Sequence, residues 1–344
     1  MSKLKWGIIG TGGIAGSFAN ALKDSKMGEL LAVGSRAQET ADAFGDRFNI
    51  PRRYSSYDDM LADDDVGAVY SGLPNHLHAE WCVKAARAGK HVLCEKPLTI
   101  NAAEAEEMLA EVEKTGVFLM EAFMYRCHPQ TAKLVELIRD GAIGDVRMIQ
   151  ATFAYSLGES EEAYRNIRLR NDVCGGAIMD VGCYTMSIAR LIAGAALGMS
   201  KPAEPENVAG AAYIGERGRV DEWAAASVRF PNGVIANLIC AAKVSVKSDA
   251  HVWGSQGDIE VPVPWKPGTG KLILKRAGKD AEEITIPAES ESCYTLEADV
   301  VARNLSNSEA SYPCMTWEDS IGNMKALDQW RDSIGLVFDL ERKS

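Results

Sequence analysis

The sequence lacks several features that would assign it to common protein classes. Its eight cysteines form no Cys-x-x-Cys pair, and most lie in apolar stretches where a thiol acts as a small hydrophobic group. This usage is typical of a reducing, cytoplasmic location. Lysine and arginine number 37 against 48 acidic residues, a formal net charge of −11, and they form no dense basic block. Such a chain is a poor partner for nucleic acid or for an anionic membrane.

Long apolar runs and two common catalytic motifs are also missing. We find no stretch of roughly 18 apolar residues and no secretion signal, so we expect a soluble, unprocessed protein. The absence of a G-x-S-x-G elbow and of a G-x-x-x-x-G-K-[S/T] loop excludes the commonest hydrolases and NTPases. The 344 residues, 47% of them hydrophobic, are enough for two domains with ordinary cores.

The first third alternates short apolar runs with stretches that can form helices. This alternation predicts parallel strands with crossover helices, an α/β Rossmann domain over residues 1–123. A clear helix spans 102–114. The predicted strands are Lys5–Ile9, Leu30–Gly34, Ala68–Gly72, His91–Cys94 and Val117–Glu121.

From residue 124 the pattern changes to consecutive strands with few helices between them. The turn signals at 231–233 and 268–270 indicate hairpins, so we predict an α+β domain over 124–344 with a large, mainly antiparallel sheet. A helix is expected near 130–139, and a C-terminal helix over about 317–340 that packs back. The predicted strands are 146–155, 223–230, 234–242, 250–253, 258–263, 271–276 and 283–286.

A glycine-rich motif joins the first strand to a helical pattern. Residues Gly10-Thr11-Gly12-Gly13-Ile14-Ala15 match G-x-G-x-x-A, in which the glycines allow a tight turn and a close approach to a pyrophosphate at a helix N-terminus. The second strand ends in Ser35-Arg36, where an NAD enzyme would carry an acid. Ser35 and Arg36 can instead bind a 2′-phosphate, which favours NADP.

Three more segments, 73–78, 94–97 and 121–126, follow or end strands and should lie at the carboxyl edge of the sheet. The segment 73–78 contains two histidines, but no third ligand accompanies His76 and His78, so we predict no metal site. Lys96, between Glu95 and Pro97, is the candidate catalytic lysine. The residues assigned to the cofactor, besides the glycine motif and Ser35-Arg36, are Leu73, Pro74, Asn75, His78, Glu95, Lys96 and Glu121.

The second domain contributes a Gly175-Gly176 pair followed by a helical pattern. Asp180 and Tyr184 are four residues apart, which predicts that they share a helix face near its N-terminus. A cationic lysine beside a tyrosine favours the phenolate and so suits it to take a hydroxyl proton. Lys96 and Tyr184 are therefore the predicted acid/base pair. The alternative is a buried tyrosine bonded to a local aspartate.

Six motifs, in order, resemble the glucose-fructose oxidoreductase/inositol dehydrogenase (Gfo/Idh/MocA) family. They are GTGGIA at 10–15, LPNHLH at 73–78, CEKP at 94–97, EAFMYRCHP at 121–129, NIRL at 166–169 and GGAIMDVGCY at 175–184. The resemblance covers nearly the whole chain. It implies a Rossmann domain, a second domain with an open sheet, an active site between them, and a homodimer or homotetramer formed through that sheet.

The resemblance also implies roles for individual residues. Lys96 matches the catalytic-site lysine and Asp180 the substrate-binding aspartate, while Tyr184 stands where inositol dehydrogenases have histidine. A tyrosine at this position resembles the branch of the family that contains glucose-fructose oxidoreductase, dimeric dihydrodiol dehydrogenase and NADP-dependent D-xylose dehydrogenase. Residues 171–174 depart from the family pattern, so we expect the pocket wall, and hence the substrate, to differ from those of relatives. The residues expected to line the substrate pocket are Lys96, Tyr125, Tyr164, Asn166, Arg168, Asp180 and Tyr184.

These observations predict an NADP-dependent oxidoreductase that acts on a pyranose-type sugar or a related cyclic diol. Two alternatives remain open. One is a reductase of keto-sugars such as an anhydrofructose, which would use the same residues in the opposite direction. The other is a non-catalytic sensor that binds NADP and a sugar.

Overall fold

The computed structural model describes residues 3–342, which divide into two units. The first unit comprises residues 3–99, 103–127 and 289–320, and the second comprises 100–102, 128–288 and 321–342. The expected boundary near 123 therefore lies close to the main division. The segment 289–320, which the sequence analysis placed in the second domain, belongs to the first unit.

The first unit is built on a parallel sheet of six strands in the order β3-β2-β1-β4-β5-β6. All five predicted strands are present. The sixth, β3, was missed because its three residues, Arg-Arg-Tyr, contain no apolar run. The strands are β1 Leu4–Ile9, β2 Gly28–Gly34, β3 Arg52–Tyr54, β4 Ala68–Ser71, β5 His91–Cys94 and β6 Leu119–Glu121.

Helices connect these strands, as the alternation predicted. The strand order reverses between β1 and β4, and in open α/β sheets ligands bind outside the carboxyl ends of the strands at such a point. The connecting helices are α1 Gly13–Ala21, α2 Gln38–Phe48, α3 Tyr57–Leu61, α4 His78–Arg87 and α5 Ala102–Glu113.

The second unit is built on an eight-stranded sheet in the order β14-β13-β12-β11-β7-β10-β9-β8, in which only β7 and β10 pair in parallel. Seven strands agree with the prediction. The eighth, β8, was missed because its sequence, NVAGAAYI, is poor in strand-forming residues and is held by its pairing to β9. The strands are β7 Val146–Ala154, β8 Asn207–Ile214, β9 Asp221–Arg229, β10 Ile235–Ala241, β11 Ala250–Gly254, β12 Gly257–Val261, β13 Gly270–Arg276 and β14 Glu282–Ile286.

Two helices accompany this sheet, α6 Pro129–Arg139 and α7 Cys183–Ala196, and α7 packs against β7 and β10. The run Asn171–Ala196, which ends in α7, is long and apolar enough to cross a membrane, with a mean hydropathy of 1.2. The expectation that no stretch reaches this length is therefore wrong. Because 94% of its apolar window is buried within the protein, we interpret it as a core helix.

Two further helices close the chain, α8 Cys293–Arg303 and α9 Trp317–Ser333. Helix α8 was not predicted. It belongs to the first unit and is bonded there to the segment after α1. The Thr295 hydroxyl donates to the Ala21 carbonyl at 2.9 Å, and the Ser25 hydroxyl donates to Asp299 at 2.5 Å. Helix α9 ends before residue 340 because Gly335 takes a φ of +70° and the Leu336 N–H turns back to the Arg331 carbonyl.

Candidate active site

The turn between β1 and α1 has the shape of a phosphate cradle. Gly10 adopts a φ of +92°, and helix α1 starts at Gly13 with Gly12 as its N-cap. A Cβ added at Gly12 or Gly13 would meet no atom within 4 Å, so the space in front of the helix N-terminus is open. Unpaired N–H groups at such an end attract phosphate oxygens. These residues, with Thr11 and Ile14, fit a dinucleotide.

Small residues bring this helix close to the sheet, as the motif requires. The Ala15 side chain lies 3.7 Å from where a Cβ on Gly72 would be, immediately after β4. Leu73 packs on the other side of the turn, 3.2 Å from the Cβ position of Gly10. The partly exposed Pro74 and Asn75 follow at the carboxyl end of β4 and begin a short helical turn. Predicted cofactor residues from two loops are thus neighbours.

The end of β2 presents hydroxyl groups and a guanidinium. The Ser35 and Thr40 hydroxyls are 2.5 Å apart, and the Ser35 N–H donates to the Tyr54 carbonyl. Arg36 is exposed and lies near Tyr57, where its charge opposes the rise in the Tyr57 pKa that burial causes. A ribose 2′-phosphate needs donors of this kind.

Two buried carboxyl groups hold the loop that carries Lys96. Glu95 accepts a hydrogen bond of 2.6 Å from the Tyr70 hydroxyl of β4, and Glu121 accepts one of 2.8 Å from the Leu98 N–H. Both side chains are buried, whereas Lys96 is half-buried. The Lys96–Pro97 peptide bond is cis. Glu95 and Glu121, predicted as cofactor contacts, therefore anchor the lysine loop.

Burial changes the protonation of Glu121. Its side chain is 1% exposed, and desolvation raises its pKa to about 8, although a bond with Ser320 and the Leu98 N–H oppose this shift. At neutral pH a proton on this carboxyl group is therefore favoured. Glu121 lies at the end of β6, directly beside the lysine loop.

His78, which the sequence analysis assigned to the cofactor, bridges two loops of the first unit. Its ring is fully buried, with Nδ1 2.9 Å from the Pro97 carbonyl and Nε2 2.8 Å from the Leu73 carbonyl. Both ring nitrogens are occupied by backbone groups. The side chain ties the 73–78 loop to the lysine loop, and burial lowers its pKa. Tyr125, predicted to touch substrate, is also buried, with its ring edge-on to Phe123.

In the second unit, the Gly175-Gly176 pair allows a close chain crossing. A Cβ on Gly175 would lie 2.4 Å from the Ile167 carbonyl oxygen, and one on Gly176 would lie 2.1 Å from Asp221 Oδ1. Asp221 in turn accepts a hydrogen bond of 2.6 Å from the Ile178 N–H. The glycines thus press the 167–168 turn against the start of the next helical segment.

That helical segment begins with a π turn, Ile178–Gly182, which contains Asp180. The prediction treated this stretch as a regular α-helix. In a π turn the bonds run from i to i+5, so the face shared by Asp180 and Tyr184 is not that of a straight α-helix. Such π turns are frequent at functional sites.

Asp180 is the centre of a hydrogen-bonded group. Its Oδ2 accepts a bond of 2.5 Å from the Tyr155 hydroxyl and lies 3.0 Å from Arg168 Nε. Burial and the Asp180 charge raise the pKa of Tyr155, so this tyrosine stays protonated and donates. Asn166 caps the turn that presents Arg168, since its Oδ1 accepts the Arg168 N–H at 3.1 Å. Sequence reasoning missed Tyr155, whose only signal is its place just after β7.

Tyr184 stands against an aromatic wall that sequence reasoning also missed. Its ring meets Phe153 edge-on at 5.2 Å and Trp265 at 5.7 Å, and those two rings stack at 5.3 Å. Tyr184 is 4% exposed. Aromatic faces of this kind suit the C–H surface of a sugar or an aromatic ring.

Tyr164, also in the second unit, is surrounded by cationic side chains. Its ring is covered by the Arg217 guanidinium at 4.1 Å and by Lys243 Nζ at 4.2 Å. Lys243 is almost fully buried, lies 2.9 Å from Glu159, and also donates to the Gly158 carbonyl. The structure thus places Tyr164, Asn166, Arg168, Asp180 and Tyr184 in one unit.

Comparison with known proteins agrees with this arrangement. Residues 4–123 match an oxidoreductase family with an NAD-binding Rossmann fold (GFO/IDH/MocA), and residues 131–260 match the C-terminal domain of the same family. The chain belongs to the Gfo/Idh/MocA family. The family resemblance stated from the six sequence motifs is confirmed, as is the fold class. The chain is accordingly an NAD(P)-dependent oxidoreductase of that family.

Several Gfo/Idh/MocA relatives are similar over almost their full length. A mouse trans-1,2-dihydrobenzene-1,2-diol dehydrogenase is 30% identical, covering 99% of both chains. A D-xylose 1-dehydrogenase (NADP+) of Haloferax volcanii is 32% identical, covering 94% of this chain and 95% of the relative. The crystal structure of KijD10, a 3-ketoreductase from Actinomadura kijaniata in complex with NADP and TDP-benzene, is 30% identical with a TM-score of 0.83, covering 97% of this chain and 98% of that one.

Proposed function

We propose that this protein is an NADP-dependent oxidoreductase that acts on a CH–OH group of a pyranose-type sugar, such as D-xylose, or of a related cyclic diol. The observation that carries the proposal is the arrangement of Asp180, Tyr155 and Arg168, called here the Asp180 group. A carboxylate held by Tyr155 and Arg168 can accept bonds from vicinal hydroxyls, and the half-buried Phe153, stacked on Trp265, offers an apolar surface for the carbon skeleton. Relatives named as xylose and dihydrodiol dehydrogenases support this substrate class.

The preference for NADP rests on the end of β2. Ser35, Thr40 and Arg36 offer two hydroxyls and a guanidinium, and no carboxylate occupies the place where an acid would bind the ribose 2′-hydroxyl. A 2′-phosphate would gain charge-assisted bonds there, whereas NAD would not. The relatives described with NADP are consistent with this choice.

Each predicted catalytic residue has one role in the proposal. Bound nicotinamide supplies the hydride acceptor or donor. Tyr184 exchanges the hydroxyl proton, Lys96 binds the reacting oxygen as a cation, and Asp180 orients the neighbouring hydroxyls. The rings of Phe153 and Trp265 pack on the Tyr184 ring and hold it in position, and the carboxyl groups of Glu95 and Glu121 keep the lysine loop in place.

The direct test is the nicotinamide absorbance at 340 nm on mixing the protein with NADP and single candidate substrates. D-xylose, D-glucose, myo-inositol and a trans-dihydrodiol form the panel, with NAD in parallel. We expect reduction of NADP by a pyranose or by the diol, and slower reduction of NAD. Turnover of myo-inositol alone, or of NAD alone, would contradict the proposal.

A second candidate is the reverse reaction, reduction of a keto-sugar. The similarity to a 3-ketoreductase structure favours it, and the same Tyr184 would then donate the proton. Oxidation of NADPH by 1,5-anhydrofructose or by a 3-keto-sugar would establish this direction. If NADPH binds tightly but no alcohol or ketone is turned over, the remaining interpretation is a non-catalytic sensor that binds NADP and a sugar.

We also propose a homodimer or homotetramer formed through the large sheet. Its outer face at β8, β9 and β10 carries exposed apolar side chains around a groove of about 470 Å³, in which Tyr213 stacks on Trp223 at 4.3 Å and Ile239 is 39% exposed. Such patches mark association surfaces. Sedimentation equilibrium tests this, with Trp223→Glu expected to shift the protein towards monomer. A monomeric wild-type protein would refute it.

A further inference from the structure

A pocket of about 370 Å³ in the second unit is lined by four arginines. It is called here the arginine pocket and is defined by Tyr164, Arg165, Arg170, Asp172, Arg217 and Arg219. None of these arginines was a predicted site residue. The pocket is cationic in a chain whose net charge is −11, so its charge is a local feature.

Three of the four guanidinium groups pair with carboxylates at the protein surface. Arg170 contacts Asp172 at 2.5 Å, Arg217 contacts Glu161 at 2.6 Å, and Arg219 contacts Asp339. Such exposed ion pairs contribute little to stability. An incoming anion can therefore replace the carboxylate partner of each arginine at a small cost.

The fourth, Arg165, is exposed and has no carboxylate partner among residues 3–342. Four cations thus face three carboxylates. An incoming dianion gains bonds without leaving a buried charge unpaired.

The backbone around the arginine pocket is held firmly. A Cβ on Gly218 would lie 2.1 Å from the Leu169 carbonyl oxygen, so the β8–β9 hairpin touches the 167–169 turn directly. The buried Asn171 side chain donates to the Arg219 carbonyl at 2.8 Å, and Arg219 has a φ of +56°. This arrangement fixes the directions in which Arg217 and Arg219 leave the backbone. Preorganised donors lose less entropy when they bind an anion.

The arginine pocket lies at the same edge of the sheet as the Asp180 group. Strands β7 and β10 run in parallel and β9 is antiparallel to β10, so the β8–β9 hairpin lies at the edge of the sheet where β7 ends and Tyr155 follows. The segment that supplies Arg165 and Arg170 also supplies Arg168, which pairs with Asp180. The arginine pocket and the Asp180 group thus share one segment of the chain and one edge of the sheet.

We propose that the arginine pocket binds a phosphate group carried by the sugar substrate. Guanidinium groups pair with phosphate oxygens bidentately, and arginines from the 165–170 segment and from the hairpin reach a tetrahedral dianion from two sides. The sugar part of this assignment rests on the proposed function; the phosphate part does not. Among the pyranose substrates of the proposed function, those that carry a phosphate group should therefore bind most tightly.

The experiment is calorimetric titration of the NADPH-saturated protein, so that cofactor phosphates cannot compete. The probes are D-glucose 6-phosphate, D-glucose and inorganic phosphate. We expect the sugar phosphate to bind at least about tenfold more tightly than either of the other two, because it uses both groups of residues.

Variants separate the two groups. Arg165→Met and Arg217→Met should each weaken D-glucose 6-phosphate and inorganic phosphate by about tenfold. Asp180→Asn should weaken the sugar phosphate but leave inorganic phosphate unchanged. The matched control is Arg276→Met on β13, which also removes an exposed ion pair, with Glu282, and should change neither affinity.

Three results would overturn the proposal. They are no saturable binding of D-glucose 6-phosphate, equal affinities for D-glucose 6-phosphate and inorganic phosphate, or an equal loss in Arg276→Met and Arg217→Met. These are binding measurements. If the protein turns over no alcohol with NADP but these affinities behave as expected, the proposed function fails and the phosphate pocket stands.

Discussion

The Tyr155 hydroxyl donates a hydrogen bond of 2.5 Å to Asp180 Oδ2, which also lies 3.0 Å from Arg168 Nε. Two elements that are distant in sequence, the end of β7 and the π turn before α7, therefore fix one carboxylate. Because Asp180 is only 12% exposed and already paired, its orientation is set before any ligand arrives.

Tyr155→Phe removes a hydrogen bond that orients Asp180. We expect kcat/KM for the sugar to fall by at least about tenfold, the usual value for a lost hydrogen bond to a charged group. The dissociation constant of NADPH should not change. Steady-state kinetics and NADPH fluorescence measure the two quantities. The control is Tyr213→Phe on β8, a residue that is 47% exposed, and an equal loss there would contradict the role of Tyr155.

Tyr184→Phe and Lys96→Ala test the proton-exchanging pair. Each should lower kcat by two or more orders of magnitude, the usual contribution of a general acid or base. NADPH affinity should remain nearly intact in both. Single-turnover absorbance measures the rate, and fluorescence titration measures the binding. If both variants lose cofactor affinity instead, the catalytic assignment of these residues fails.

Arg36→Ala tests the cofactor preference. Removing the guanidinium should weaken NADPH by about tenfold and leave NADH almost unchanged, because only NADPH carries the 2′-phosphate. The ratio of kcat/KM for the two cofactors is the measurement. A ratio equal to that of the wild type would show that Ser35 and Thr40 alone, or other residues, set the preference.

Glu121 predicts a pH dependence of stability. Its folded-state pKa of about 8 lies above the usual value of 4.5, so between these limits the folded state holds a proton that the unfolded state has lost. The free energy of unfolding should therefore fall with rising pH in this window, by at most about 1.4 kcal/mol per unit from this group. Glu121→Gln should flatten the slope between pH 5 and 8 in urea unfolding.

Other buried acids share this window, since burial also raises the pKa of Asp221 to about 7. The Glu121→Gln variant should therefore reduce the slope without abolishing it. The amide oxygen can still accept the Leu98 N–H, so the fold is retained. A slope identical to that of the wild type would mean that Glu121 is ionised in the folded protein at pH 7.

Gly176→Ala tests the close crossing beneath Asp180. The new Cβ would lie 2.1 Å from Asp221 Oδ1, on a residue whose φ is +113°. We expect a loss of at least about 2 kcal/mol of unfolding free energy. Gly198→Ala is the control, because Gly198 has a φ of +68° but open space, and should cost about 1 kcal/mol. Equal losses in urea unfolding would show that backbone conformation alone matters at residue 176.

Local sequence patterns were enough to predict many elements of this protein. The strand, glycine turn and helix at 4–21 are readable in sequence because each residue acts through its own conformational preference or its immediate neighbours. The same holds for the hairpin at 231–233 and for the family motifs around Lys96 and Asp180. The strands β3 and β8 and the helix α8 were not readable, because pairing and packing with distant segments hold them.

The sequence by itself determined the family and the two kinds of sheet, and it singled out Lys96, Asp180 and Tyr184 as candidate site residues. Tertiary structure decided which side chains surround them. It assigned His78 and Glu121 to holding the lysine loop, brought Tyr155 to Asp180, and joined the 165–170 segment to the β8–β9 hairpin as the arginine pocket. Contacts between residues far apart in the chain leave no periodic trace in sequence, since the chain path alone brings their side chains together.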